Sequence, residues 1–350
     1  MPLVPKPLLE AHAASLLEAA GMAPGKAAAT AEVLVEGDMI GHETHGVGLI
    51  PWYVTALAEG SMNGTGDHAV VSDHGGSFVW DGASLPGAWL VSQALAEACR
   101  RAPEHGTVTV SIRNSHHTCA LAAYLRKATE QGLIVRLSSS NPGARRMAPF
   151  GGTEALLTPN PTAIGFPTDG DPILIDISCS ITTVTMSQTL AAEGRRYPEA
   201  WAQTADGQPS DDPKDFTERG GTLLPLGGTL KGYKGFAMAI AEELLSQGLS
   251  GKGRSNTQLG EFAQNVFLQV IDPEAFAGRA AFLEQSSFLA EACRANPVPE
   301  GQAPVRMPGD RAAAKRRAAL EKGVEVSEPR LAALRALAAK FGLAPIDCPA

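Results

Sequence analysis

The sequence predicts a mixed α/β fold in which helices from both chain ends form one domain beside a central α/β domain. Three observations predict it. Apolar residues recur at helical spacing through about the first 65 residues. From Asn63 onward short β-branched runs alternate with helical segments. From Asp310 the helical pattern returns. The expected boundaries are residues 1–70 and 306–350 for the helical domain and 71–305 for the central one. The 350-residue length suits roughly two domains of ~150 residues.

The elements follow in order. Leu8, Leu9, His12, Leu16, Leu17 and Ala20 mark a helix over residues 7–21, ended by Gly21 and Pro24. Ala27, Ala31, Val35 and Met39 mark a second over 24–38, and a third spans Ile50–Ala58. Gly64-x-Gly66-x-x-Ala69 looks like a dinucleotide fingerprint, but it precedes a strand and opens no helix, so it is rejected. Strands are expected at Ala69–Ser72, Phe78–Trp80, Thr107–Ile112, Leu133–Ser138, Ala163–Phe166, Ile173–Asp176 and Val266–Ile271. Helices are expected at Ala88–Arg101, Ala120–Gln131, Ile181–Ala192, Phe236–Leu249, Ala281–Arg294 and Arg330–Phe341. Residues 194–232 show no period and read as a long ordered loop. Lys315, Arg316 and Arg317 read as a solvated helix face.

Composition narrows the function classes. Hydrophobic residues are 44%, charged residues 19% and aromatics 5%, with a net charge of -8. A large core is feasible, while nucleic-acid or membrane-surface binding is disfavoured. No run of about 18 apolar residues occurs, so no membrane span is expected. Cys99, Cys119, Cys179, Cys293 and Cys348 are odd in number and widely spaced. That pattern fits a reducing, cytoplasmic setting.

Four polar clusters sit at segment ends: His42/Thr44/His45, Ser115/His116/His117, Arg145/Arg146 and Asp176/Ser178/Ser180. Only eight histidines occur in the chain, and four fall in two of these clusters. Histidine exchanges protons near neutral pH, and arginine grips carboxylates in bidentate fashion. Asp176 could orient a histidine or receive a ribose hydroxyl. Together these groups suit proton transfer on a small 2-hydroxy or 2-oxo acid. Each cluster also has a structural reading, in which His42 and His45 cap a helix, His116-His117 fill a turn, the arginines face solvent and Asp176 caps a helix. His42-x-x-His45 lacks the i, i+4 zinc spacing, so no metal is expected. No Gly-x-Ser-x-Gly supports acyl transfer.

Gly41-His42-Glu43-Thr44-His45-Gly46-Val47 resembles the Gly-His-Asp-Ser-His-Gly-(Val/Ile) signature of the malate/L-lactate dehydrogenase-like family. Its members include L-sulfolactate, ureidoglycolate and diketogulonate dehydrogenases or reductases. His45–Pro51 is most similar to the hydroxycarboxylate dehydrogenase branch. Asn114–His117, Ala148-Pro149-Phe150, Asn160-Pro161, Asp176 with Ser180, Asp206-Gly207 with Pro209, Lys234-Gly235-Phe236 and Pro308-Gly309-Asp310 follow in family order. The resemblance implies a non-Rossmann, L-sulfolactate dehydrogenase-like fold, NAD or NADP as cofactor, a small carboxylate substrate and a homodimer. By motif, His45 lies beside nicotinamide and substrate, His117 is the acid/base group, and Thr44 replaces a serine hydroxyl. Cofactor contacts are expected from His45, Cys119, Ala120, Leu121, Leu174, Ile175, Asp176, Ile177, Ser178, Tyr233, Lys234, Gly309, Asp310 and Arg311. Substrate contacts are expected from Arg145, Arg146, Tyr53 and His116.

The chain departs from the family pattern at named positions. Cys119 stands where a glycine is usual, Thr158-Pro159-Asn160-Pro161 replaces Gly-Thr-Asn-Pro, Thr185-Met186 replaces Gly-Lys, and Leu49 stands where many members have an arginine. Side chains in place of glycines reshape a site that a cofactor approaches closely. A second expectation follows: a divergent member with the same fold and lost or altered nicotinamide chemistry.

Overall fold

Helices and strands alternate through residues 1–256 and 263–347, the span that the computed structural model describes. Strand β1 (Leu3–Val4) leads into α1 (Lys6–Ala19) and α2 (Pro24–Met39), both with proline in the first turn. Two tight 3-10 turns, Glu43–His45 and Val47–Leu49, connect α2 to α3 (Ile50–Ala58). A hairpin of β2 (Ala69–Asp73) and β3 (Ser77–Asp81) follows, then α4 (Gly87–His105), β4 (Thr107–Ser115), α5 (Ala122–Thr129) and β5 (Ile134–Ser140). After β6 (Thr162–Phe166), β7 (Ile173–Ile177) and α6 (Val184–Ala192) comes a small lobe. It holds β8 (Ala202–Gln203), β9 (Pro209–Ser210), α7 (Pro213–Thr217) and β10 (Thr222–Leu223). The chain closes with α8 (Gly228–Glu243), β11 (Gln264–Ile271), α9 (Arg279–Arg294), α10 (Asp310–Lys322), β12 (Val324–Glu325) and α11 (Glu328–Phe341).

The main sheet has seven strands in the order β2-β3-β4-β11-β5-β6-β7. Only the β3–β4 pair is parallel, and β11 runs antiparallel between β4 and β5. A doubly wound nucleotide fold would keep its central strands parallel. The sheet is therefore mixed and not of Rossmann type. Its middle strands are fully covered, with Val108, Val110, Ile112, Val266, Leu268 and Val270 inaccessible to solvent. The Gly64–Gly66 run precedes β2 and opens no helix.

The two chain ends meet. Leu3 and Val4 pair antiparallel with Glu325 and Val324, α11 packs on α1 and α3, and α10 packs on α2. This layer shares one continuous core with α4, α5 and the sheet.

Three details differ from the sequence reading. Residues 194–232 hold a three-stranded sheet, β10-β8-β9, of two-residue strands that no periodicity could reveal. Helix α8 begins at Gly228, two turns before the expected start, because Gly227 at φ 98° ends the preceding loop. Of Lys315, Arg316 and Arg317 only Arg317 is exposed; the other two are half-buried. Arg316 pairs with Glu36 at 2.7 Å and Arg317 with Asp171 at 2.5 Å, while Lys315 reaches over Gly41. Among the described residues Cys99, Cys119, Cys179 and Cys293 are free thiols; Cys348 lies outside them. No described helix is long and apolar enough to cross a membrane.

Candidate active site

The turn carrying His45 is built around a buried carboxylate. Asp38, in the last turn of α2, accepts a hydrogen bond from the Val47 backbone N–H at 2.8 Å and pairs with Arg330 of α11 at 3.3 Å. Any side chain at Gly46 would strike Asp38, since its Cβ would lie 2.0 Å from Oδ1. Glycine is thus required there by close approach. Arg330 also reaches Glu43 at 3.5 Å, so α11 holds both ends of the turn. Burial, partly offset by the Val47 hydrogen bond and Arg330, lifts the Asp38 carboxyl to about 7. On this frame Thr44 Oγ1 lies 2.8 Å from His45 Nδ1.

The second histidine arrives from the end of β4. Asn114, at φ 52°, turns the chain and donates to Asp81, and Gln264 of β11 holds the Thr118 backbone and hydroxyl. The His117 ring stacks on His45 with centroids 5.6 Å apart and planes 18° apart. Trp52 meets His117 edge-on at 5.3 Å, and the Tyr53 hydroxyl lies 2.8 Å from His117 Nδ1. Tyr53 also lies 3.1 Å from Cys119 Sγ. Burial, then the neighbouring His45 and His116, push His117 well below the usual histidine range. Burial and His42 bring His45 to about 4. Both rings are therefore neutral at pH 7, and either can take up a proton when an anion enters the site.

A cavity of about 420 Å³ lies within a few residues of this pair along the chain. One wall is Ile40, Gly41 and His42; another is Ala122 with Leu174, Ile175, Asp176 and Ile177; the third is Pro308, Gly309, Arg311, Ala312 and Lys315. Asp176 accepts from the Ala122 N–H at 3.0 Å, at the start of α5. Burial raises its pKa, and the facing His42 opposes that rise. Two short segments tie the cavity to the histidine pair. His42–His45 spans three peptide units, at most roughly 11 Å of chain, and His117–Ala122 spans five, at most roughly 18 Å.

The structure thus gathers His45, His117, Thr44 and Tyr53 in one cluster, and Leu174, Ile175, Asp176, Ile177, Gly309 and Arg311 around one cavity. Cys119, Ala120 and Leu121 form the buried link between the two. Other expected residues sit differently. His116 is 1% exposed, enclosed against Trp52 and Tyr53, and burial takes it to about 4. Arg145 and Arg146 line a separate cleft of about 310 Å³ with Gln188, Phe216 and Thr217, none of which lines the first cavity. Tyr233 and Lys234 lie on the exposed side of α8, where Tyr233 meets Phe150 at 6.2 Å. Ser178 turns onto the Ser180 carbonyl at 3.0 Å. Asp310 pairs with Arg294 at 2.6 Å and caps Met307. Among the described residues no cluster could hold a metal ion.

Sequence reasoning did not assign His42, Ala122 and Lys315 to the cavity, or Trp52 and Asp38 to the histidine cluster. Lys315 was detectable in principle, four residues after Arg311 and so on the same helix face. Trp52, next to Tyr53, carried no such signal.

The Malate/L-lactate dehydrogenase family model matches residues 4–335. The chain belongs to this family. An L-lactate dehydrogenase of Cupriavidus necator is 33% identical over 82% of this chain and 83% of its own. A Delta(1)-pyrroline-2-carboxylate/Delta(1)-piperideine-2-carboxylate reductase of Pseudomonas syringae pv. tomato is 32% identical over 91% of both. Among solved structures, the sulfolactate dehydrogenase of Methanocaldococcus jannaschii superposes with a TM-score of 0.87 at 26% identity, covering 98% of each chain. This malate/L-lactate dehydrogenase family member is therefore of an oxidoreductase family whose relatives act on hydroxy acids and cyclic imino acids.

Proposed function

We propose that this chain catalyses hydride transfer between NAD or NADP and a small 2-oxo or 2-hydroxy acid or cyclic imino acid, with His117 as acid/base group. The observation that carries this reading is the stacked, neutral His45–His117 pair a few residues from a large cavity. The cavity fits a dinucleotide chemically. Ile40, Leu174, Ile175 and Ala312 offer apolar walls, Arg311 and Lys315 offer cations for phosphate, and Asp176 offers an acceptor for a ribose hydroxyl. A bound nicotinamide supplies or accepts the hydride. His117 holds the proton that the substrate oxygen or nitrogen gains, and His45 with Thr44 orients that atom. The cavity walls come from α2 and α10 on one side and from α5 and β7 on the other. This supports a cleft between a helical domain of both chain ends and a central domain.

The divergent, non-redox reading loses ground to one observation. Leu49, Cys119, Thr158, Pro159, Thr185 and Met186 depart from the family pattern, and none of them lines the cavity. Cys119 points to Tyr53, and the Thr158 hydroxyl donates to Asn160 at 2.6 Å. Arg145 and Arg146 are proposed for the substrate carboxylate on their chemistry alone.

A panel of 2-oxo acids and cyclic imines, each with NADH and NADPH, tests the reading. Turnover of at least one pair is expected, with one cofactor binding more tightly by fluorescence titration. Absence of binding by either cofactor at millimolar concentration would sink it. In the same panel, an unchanged KM in the Arg145→Ala, Arg146→Ala double variant removes the arginines from the substrate site.

A further inference from the structure

Cys119 occupies a backbone conformation that a side chain makes costly. Its φ is 60°, in the left-handed region that non-glycine residues rarely adopt. The side chain is buried and turned onto the Tyr53 hydroxyl at 3.1 Å. That hydroxyl in turn lies 2.8 Å from His117 Nδ1. The Cys119 backbone N–H points at the same Nδ1 from 3.3 Å.

We propose that the Cys119 thiol and the Tyr53 hydroxyl form a reversible hydrogen-bond chain that sets the tautomer and charge of His117. Both are then positioning residues for the proton transfer. The proposal rests on the reading of His117 as acid/base group. A backbone N–H can only donate, so in the resting state Nδ1 accepts and the neutral ring carries its proton on Nε2. The thiol then donates to Tyr53 Oη, and the hydroxyl donates to Nδ1.

Proton transfer at Nε2 needs the other arrangement. The imidazolium forms by uptake of one solvent proton as the substrate carboxylate enters, and when its Nε2 proton passes to substrate the ring that remains carries the added hydrogen on Nδ1. That N–H donates to Tyr53 Oη, whose own hydrogen swings onto Cys119 Sγ, and the long Cys119 N–H contact at 3.3 Å is given up. No covalent bond in the chain changes; two rotors turn. Cys119 Sγ is the last acceptor, and without it a buried hydroxyl hydrogen would be left unpaired. The other titratable groups around this chain are His45, His116 and Tyr124, with His42 acting on His45 and Glu32 on Tyr124. The Tyr124 hydroxyl is already committed to the Thr118 carbonyl at 2.6 Å. The Tyr53 hydroxyl itself is bonded to His117 Nδ1 and Cys119 Sγ.

Cys119→Ala, Cys119→Ser and Tyr53→Phe test the chain in the full-length protein. Cys119→Ala is expected to lower kcat about three- to tenfold, with KM changed less than twofold. Losing Sγ disfavours the protonated ring, so the acidic limb of the kcat–pH profile for substrate oxidation moves to lower pH. Cys119→Ser, which keeps an acceptor, restores both. Tyr53→Phe exceeds the Cys119→Ala effect. In ¹⁵N-histidine NMR of the ligand-free protein, both Tyr53→Phe and Cys119→Ala alter the His117 Nδ1 shift. Unchanged kcat, acidic limb and Nδ1 shift in both variants would overturn the proposal. The NMR readout needs no turnover. A His117→Ala enzyme that keeps its activity would instead sink the acid/base reading.

Discussion

His117 owes its properties to what surrounds it. The ring meets Trp52 edge-on, stacks on a second neutral imidazole and receives hydrogen bonds on Nδ1. The desolvating surroundings and two neighbouring histidines oppose a positive charge, so the free site holds it neutral. A substrate carboxylate placed beside the ring reverses that balance, because an opposite charge within about 4–6 Å favours the protonated form. The proton would then arrive with the substrate, which ties protonation to binding. His117→Ala removes the group that exchanges it while leaving the cavity walls intact. Turnover is expected to fall by about 10²–10⁴-fold, with only a modest change in NAD(P)H affinity. Steady-state kinetics beside a fluorescence titration measures both, and unchanged turnover removes His117 from the mechanism.

At the scale of elements, the His45 turn depends on a helix nearly 300 positions away in sequence. Arg330 of α11 spans Asp38 and Glu43, so the chain's last helix shapes the end of its second. The Asp38 carboxyl, raised in the fold from its ordinary value near 3.8 to about 7, is a pH-dependent part of that clamp. The fold binds the proton more tightly than the unfolded chain does. Stability from this group is therefore full below about pH 4 and is lost as pH rises through about 7. Asp38→Asn keeps an acceptor for the Val47 N–H and does not ionise. Its melting temperature relative to the parent protein is expected to rise between pH 5 and pH 8, and a flat difference over that range would disprove the linkage. Such a clamp illustrates what the sequence could and could not convey. Long periodic elements were legible: α1, α2, α4 and the strands around β4 and β11 lie where apolar spacing puts them. So were His45 and His117, because histidines gathered at segment ends stand out in a chain with few of them. The two-residue strands β1, β8, β9, β10 and β12 exist only through tertiary pairing, and no local pattern encodes them. The same holds for His42 facing Asp176, and for Arg316 and Arg317, whose acidic partners come from distant segments.

On the scale of the whole molecule, one core runs from Val4 to Ile346 and joins both chain ends to the central sheet. Helix α8, with the turn that continues it, keeps apolar side chains outside that core. Leu230, Tyr233, Ile240 and Leu244 follow one another at three-, seven- and four-residue steps, which places them on a single stripe. Their exposures are 84%, 48%, 38% and 62%. Ala237 and Ala241 continue the stripe between them and are exposed as well. A contiguous exposed apolar stripe of this kind is a feature of association sites. A second copy of the chain is the occupant in keeping with the homodimer expected from the family resemblance, since a two-fold axis lets one stripe cover its own mate. Size-exclusion chromatography with light scattering is expected to give twice the 36.4 kDa chain mass at micromolar concentration. Leu230→Glu with Leu244→Glu places charge on both ends of the stripe and away from the cavity residues. That double variant is expected to elute as a folded monomer. A parent protein that runs as a monomer, or a double variant that remains a dimer, would show that α8 does not form the interface.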